Sequence, residues 1–215
     1  MTLCFGRSGS GKTSFAFLYL VNALTEQPAN TEPAACVFIF DWKLEASRRL
    51  GIPAVGTARG CRDALAQRIV VFDPNLMFQS LPGQPPADKR AFAWFCQWVF
   101  SVAKSGAGRK ILFVDELWKF VEARADMVPY ELQTILREGR SENLELLMAT
   151  QFPKDYARPI RASVTEWVCF NTEDPDDLAA VRPYFGGVDA AAELPRGSFI
   201  GYNRDSRETL AGKLF

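Results

Sequence analysis

The sequence contains no histidine. That excludes histidine general-base catalysis, histidine metal ligation and the side chain that ordinarily changes charge near neutral pH. An excess of charge of one sign is missing too: 25 Lys and Arg balance 25 Asp and Glu, for a formal net charge of zero. Nothing in bulk draws such a chain to nucleic acid, so any contact of that kind needs a local patch or an assembled ring. Cys4, Cys36, Cys61, Cys96 and Cys169 are dispersed, odd in number and without a C-x-x-C pair. They read as reduced core residues of an intracellular protein, not as a disulfide or zinc framework. No secretory signal, internal repeat or low-complexity tract is read in these residues, and none is expected. The most apolar helical segment, 87–103, has too short an apolar core to span a bilayer and is flanked by Lys89, Arg90 and Lys104, so no integral membrane segment is expected. A length of 215 residues, 48% of them hydrophobic, predicts one domain over 1–215 with a sizeable core.

What the chain does have, almost at its start, is Gly6-Arg7-Ser8-Gly9-Ser10-Gly11-Lys12-Thr13. This fits G-x-x-x-x-G-K-[ST], a loop whose backbone N–H groups wrap a polyphosphate. Glycines are needed where bare backbone approaches the phosphates. Lys12 brings a mobile positive charge to the β- and γ-phosphates, and the Thr13 hydroxyl is placed to ligate Mg²⁺. The context agrees: 2–5 reads as a short buried strand, and 14–24 as a helix whose N-terminus faces the phosphates. Gly6, Ser8, Gly9, Ser10, Gly11, Lys12, Thr13 and Ser14 are therefore the expected nucleotide-binding set, with ATP and Mg²⁺ as the cofactors. The helix is apolar nearly all round, which predicts burial on several sides.

Further along, apolar runs end in charged or polar residues. The strand at 35–40 leads to Asp41-Trp42-Lys43-Leu44-Glu45, and that at 68–72 to Asp73-Pro74-Asn75. Ile111 to Val114 leads to Asp115-Glu116, and 144–149 to Thr150-Gln151. Segments 27–34 and 81–86, rich in proline, read as exposed connections. Helices are expected at 87–103, 117–125, 130–140 and 175–182, a strand at 166–171 and a closing hairpin from 198–202 and 209–215. Strands alternating with helices argue for a mainly parallel sheet with helices on both faces and an antiparallel C-terminal hairpin, a P-loop α/β fold of the RecA-like kind. Ligands of such a sheet sit at the carboxyl ends of its strands.

The chemistry follows from those strand ends. Asp115 can hold Mg²⁺ through water, and Glu116 can orient and polarise an attacking water. Gln151 can bond the γ-phosphate or that water if its strand lies beside the phosphate-loop strand. Arg137 and Arg140 precede the Gln151 strand; a guanidinium given to a neighbouring subunit's γ-phosphate contributes rate factors of about 10³–10⁵ in other P-loop systems. Lys12, Glu116, Gln151 and Arg140 are the catalytic candidates, and Thr13 and Asp115 the metal ligands.

These residues resemble the FtsK–HerA superfamily of P-loop motors over nearly the whole chain. The likeness rests on the phosphate loop at 6–13, Asp41-Trp-Lys43-Leu-Glu45 where the family often has D-P-K-G-E, and Asp73-Pro-Asn75-Leu. It continues with Asp115-Glu116, with Arg140 ahead of Leu146-Leu-Met-Ala-Thr-Gln151-Phe-Pro153, and with Leu194-Pro-Arg-Gly197. Trp42 replaces the usual proline, and Phe152 stands where an arginine is common. The resemblance implies a homo-oligomeric ring, typically a hexamer, that hydrolyses ATP between subunits and moves double-stranded DNA through its pore. Arg140 then stands where the family carries its finger arginine.

A single-domain chain of this size looks most like the genome-packaging ATPases of internal-membrane icosahedral phages. That implies a host-cytoplasmic location, attachment at a virion vertex and a portal or vertex protein as partner. A conjugation-type or filamentous-phage-assembly ATPase is the alternative within the superfamily. Outside it stand a small nucleotide kinase and a slowly hydrolysing assembly switch. For DNA, the candidate basic clusters are Lys104, Arg109 and Lys110, and Lys119 with Arg124.

Overall fold

The structure, a computed structural model, describes residues 1–26, 33–77, 87–121 and 128–215. In chain order its principal elements are β1 (Thr2–Phe5), α1 (Lys12–Thr25), β2 (Cys36–Phe40), α2 (Glu45–Leu50), α3 (Ala58–Ala64), β3 (Ile69–Phe72) and α4 (Ala87–Ser105). There follow β4 (Lys110–Asp115), α5 (Tyr130–Glu138), β5 (Leu144–Thr150), α6 (Arg158–Ser163), β6 (Glu166–Phe170), α7 (Pro175–Val181), β7 (Ser198–Asn203) and β8 (Thr209–Lys213). The strands form one eight-stranded sheet in the order β3-β2-β4-β5-β1-β6-β7-β8. β1 pairs in parallel with β5 (Phe5 opposite Thr150) and with β6 (Phe5 opposite Cys169), whereas β6, β7 and β8 are mutually antiparallel. The mainly parallel α/β fold with an antiparallel C-terminal hairpin is thus as the alternation of elements predicts. Among the described residues no helix is long and apolar enough to cross a membrane.

The chain groups into two compact units. The first comprises 1–18, 115–128 and 147–215, the second 19–114 and 129–146. In the second unit, aromatic side chains from strands and from α4 form the core. Phe72 stacks on Phe95 with centroids 4.6 Å apart, and Phe40 meets Phe92 edge-on at 5.3 Å. Phe92, Phe95 and Val99 are fully buried, so the aromatic stripe of α4 is core. Each such phenyl ring contributes on the order of 2 kcal/mol by leaving water. In the first unit, Phe5, Trp167 and Phe185 pack edge to face, and Trp167 stacks on Tyr184 at 5.7 Å. All five cysteines are free, with four of them buried. Burial pushes the Cys61 thiol up to about 11 and those of Cys4, Cys96 and Cys169 higher.

Three local expectations change. α1 begins at Lys12 and is not covered all round: Leu18 and Val21 are 51% and 40% exposed, on the same face as exposed Asn22 and Thr25. An apolar composition gave no polar face from which to read that orientation. Where a helix is expected at 117–125, the described residues form a 3-10 turn, Leu117–Lys119, preceded by Glu116 in a left-handed conformation. The remainder of that helix at 122–125, residues 27–32 of the connection expected at 27–34, and the connection expected at 81–86 lie outside the described residues. Finally, α5 ends at Glu138, and Gly139–Glu142 tightens into a 3-10 turn.

The segment that leaves β5 is anchored by α7. Asp174 caps α7 by accepting the N–H groups of Asp176 and Asp177 at 2.9 and 3.1 Å, and it accepts the Lys154 ammonium at 3.2 Å. Asp177 accepts the Lys154 backbone N–H at 3.2 Å. Asp177 is 1% exposed, and burial pushes its carboxyl up to about 6 from the ordinary 3.8. A carboxyl raised in the folded state favours folding while protonated, below the unfolded value, and that contribution is lost as pH rises through the folded value. Asp177→Asn should therefore raise the melting temperature at neutral pH, by on the order of 5 °C, with the gain fading below about pH 4. Thermal melts of parent and variant across that range measure it; a difference independent of pH would contradict the assignment.

Candidate functional site

The phosphate-binding loop leaves β1 at Gly6 and enters α1 at Lys12. Two of its glycines are required by geometry. Gly6 has φ 144°, and a Cβ there would lie 2.9 Å from the Phe170 Cβ. Gly11 has φ 122°, and a Cβ there would lie 3.1 Å from both Leu214 and the Phe170 ring. Any other residue would meet the wall behind the loop and adopt backbone angles that L side chains rarely take. The outer side of the loop is tied back by one of its own carbonyls and one of its own N–H groups. Gly197 N–H donates to Ser10 O at 3.1 Å, and Arg7 N–H to Asn171 O at 2.9 Å. Peptide groups are planar and trans, so a Ser10 carbonyl held outward turns the Gly11 N–H the opposite way, into the loop. Lys12 is 5% exposed and donates its ammonium to Arg7 O at 2.9 Å.

The Ser10 hydroxyl is buried and, among the described residues, has no hydrogen-bond partner. Buried polar atoms are normally paired. An orphaned hydroxyl within a glycine cradle, beside a buried ammonium, fits a phosphate group. Ser8, Gly9, Thr13 and Ser14 complete the loop and the first turn of α1. Thr13 and Asp115 supply hard oxygens suited to Mg²⁺. Among the described residues no cluster of three or more Cys, Asp or Glu is arranged to hold a metal. Magnesium at these two residues would therefore take its other oxygens from the nucleotide and from water, which is how this ion is usually held.

The carboxylate pair ends β4. Asp115 and Glu116 are 9% and 4% exposed. Glu116 sits at φ 53°, ψ 50°, left-handed for a residue with a Cβ, which costs about 1–2 kcal/mol. Such strain persists only where surroundings enforce it. Here the Glu116 N–H donates to Ala149 O at 2.8 Å, and the carboxylate is fastened at both oxygens. One oxygen accepts the Gln151 side-chain amide at 3.0 Å; the other accepts the Trp118 indole N–H at 2.7 Å and the Gln151 backbone N–H at 3.3 Å. The structure thus brings Glu116 and Gln151 into direct contact, the latter at the end of the strand that flanks β1. The buried phenol of Tyr156 lies beside Thr150 and the two carboxylates; burial and both negative charges push its pKa up.

Arg137 lies in the last turn of α5, and Arg140 is exposed in the following 3-10 turn. Two of the basic residues named for DNA have other employment. Lys110 is 4% exposed, and its ammonium donates to the carbonyls of Ala103 and Glu142, both at 3.1 Å, and of Gly106. Arg109 is engaged by Glu145 at 2.7 Å, the Tyr19 hydroxyl at 2.7 Å and Glu26 at 3.4 Å. Lys104 and Lys119 each lie over an aromatic ring, Phe100 and Trp118, and Arg124 is outside the described residues. Asp41 closes the start of α2, accepting the N–H groups of Glu45, Ala46 and Ser47.

Sequence reasoning gave no role to Trp118, Tyr156 and Asn171, and took Arg196 only as part of Leu194-Pro-Arg-Gly197. Asn171 carried a usable signal, since it ends an apolar strand just as Gln151 does. Arg196 is exposed and donates its Nε to Gly9 O at 3.2 Å, a contact made 187 positions away in the chain.

Neither a protein-family model nor a curated protein matches the chain by sequence. Solved structures do match by fold. The genome packaging NTPase B204 of Sulfolobus turreted icosahedral virus 2, in complex with AMP, superposes with a TM-score of 0.72 at 18% identity, over 100% of this chain and 97% of its own. The DNA-packaging ATPase B204 of Sulfolobus turreted icosahedral virus gives the same values. VirB4 of Thermoanaerobacter pseudethanolicus reaches 0.69 at 14% identity, over 100% of this chain and 88% of its own. The chain has the fold of these proteins, the mainly parallel α/β architecture expected from its sequence.

Proposed function

We propose that the chain is an ATP-hydrolysing motor that moves double-stranded DNA, packaging a viral genome into a capsid. The observation that carries the hydrolytic part is the bond between Glu116 and Gln151. A water-activating carboxylate and a strand-end amide joined in this way suit transfer of the terminal phosphoryl group to water, whereas a small kinase needs neither. Glu116, held by Gln151 and Trp118, is positioned as general base; Gln151 has a choice of partner, the carboxylate or an arriving γ-phosphate. An amide drawn toward the phosphate would release one oxygen of Glu116 for the water, so that nucleotide and base are coupled through a single side chain. Lys12 steadies the phosphates, and Mg²⁺ at Thr13 and Asp115 neutralises charge developing on them.

The packaging part draws support from the likeness to the two viral NTPases, which extends over the whole of this chain. In this reading residues 1–215 act as one ATPase domain in a hexameric ring, with Arg140 of each subunit serving the next. The motor works in the host cytoplasm or at a virion vertex, against a portal or vertex protein. DNA affinity comes from clusters repeated around the ring, with Lys104, Lys119 and Arg124 the remaining candidates, since Arg109 and Lys110 are committed within the fold.

Glu116→Gln should bind ATP near-normally and lose turnover by about 10²-fold or more; near-normal turnover would remove Glu116 from the mechanism. Duplex DNA should bind without sequence preference, weaken steeply with salt and change the ATPase rate. DNA that does neither at low salt would favour the assembly switch. Arg140→Ala and Lys12→Ala, each inactive alone, should regain some activity when mixed, because one pairing joins an intact loop to an intact arginine. Mixed rings with no recovery would place Arg140 in its own subunit's service or in structure.

A further inference from the structure

The two ends of a bound nucleotide need different partners, and the reading above employs only those at the phosphate end. β1 and its loop lie between β5 on one side and β6, β7 and β8 on the other. Glu116 and Gln151, which address the terminal phosphate, belong to the β5 side. A nucleotide laid through the loop with its terminal phosphate there directs its nucleoside toward the β6–β8 side. What stands on that side is built against the loop residue by residue. Arg196 Nε donates to Gly9 O at 3.2 Å and Gly197 N–H to Ser10 O at 3.1 Å. A side-chain methyl of Leu214 lies 3.1 Å from where a Gly11 Cβ would be.

The turn at 194–197 and the residues after β8 are themselves joined. Ser198 pairs with Lys213, and Leu214 N–H donates to Gly197 O at 3.0 Å. The Phe215 ring is pressed on Gly197, 2.7 Å from the position a Cβ would take, and is 65% exposed. This corner therefore presents an aromatic ring and an arginine to solvent, fixed to three consecutive residues of the phosphate loop. An exposed ring is not needed for the core, where Phe15, Phe170 and Phe199 already pack together.

We infer that Phe215, seated on Gly197 with Leu214 and Arg196 beside it, is the platform on which the nucleoside base of the bound triphosphate stacks. The inference rests on the nucleotide-binding reading of the loop. Stacking uses the face of a base, which all bases share, so it gives affinity with little discrimination between adenine and guanine. Arg196 is a positioning residue, holding the turn on the loop through the Gly9 carbonyl.

Equilibrium binding of ATP, GTP and inorganic tripolyphosphate, in magnesium, to the full chain and to Phe215→Ala and Phe215→Trp tests this. The parent should bind ATP and GTP alike and more tightly than tripolyphosphate. Phe215→Ala should weaken ATP about tenfold and leave tripolyphosphate unchanged, and Phe215→Trp should retain the ATP affinity. ATP binding untouched in Phe215→Ala, or an equal loss for ATP and tripolyphosphate, would overturn the platform. A parent that binds tripolyphosphate as tightly as ATP would also overturn it while leaving the phosphate loop standing. A parent that binds none of the three would remove the loop reading itself.

Discussion

The parallel ladder that sets β1 between β5 and β6 is the constraint on which the rest depends. It puts Phe5 level with Thr150 and with Cys169, so β1 and β5 finish at one height and β6 runs one residue further. The loop and Gln151 are the next residues out, and Asn171 follows one residue beyond, after Phe170. β1 is buried at all four positions, so a one-residue slip in either pairing would exchange its two differently packed faces and displace the loop by about 3.3 Å against its neighbours. Hydrophobic burial thereby fixes the relative height of polar groups that have no interaction of their own strong enough to do so.

At that common edge the protein accepts local cost. Glu116 is held left-handed, and its carboxylate and the Asp115 carboxylate are both largely removed from water. Part of the offset comes from neutral donors, an amide and an indole, directed at one carboxylate. Neutral donors stabilise negative charge without cancelling it, which leaves the group able to attract a proton. A lysine in the place of Trp118 would make a stronger bond and a poorer base.

How much of this was legible in the sequence depends on the range of each interaction. The phosphate loop, the Asp115-Glu116 pair and Gln151 were readable because short motifs and apolar strands declare themselves locally. Their assembly was partly readable: a parallel sheet with the Gln151 strand beside the loop strand was an expectation, and β5 does flank β1. The Glu116–Gln151 contact was not, since nothing in the spacing says which partner an amide will choose. Lys110 misled for a related reason. In a basic stretch beside glycines it looks solvent-facing, yet the first residue of a buried strand can only point its ammonium at the carbonyls around it. Arg196 could not be placed at all, because its partner is a backbone carbonyl at the other end of the chain.

The burial of Lys110 has a mechanical side. Its ammonium bridges the end of α4 to the start of β4 and to the carbonyl of Glu142 just before β5. Sliding β4 along its axis by one residue would carry Lys110 about 3.3 Å, beyond reach of all three acceptors, and reverse every side chain on the strand. The strand that ends in Asp115 is in this sense a rod pinned at its far end. A load applied at the carboxylates is passed into the sheet as stress on that pin and is not dissipated by slippage.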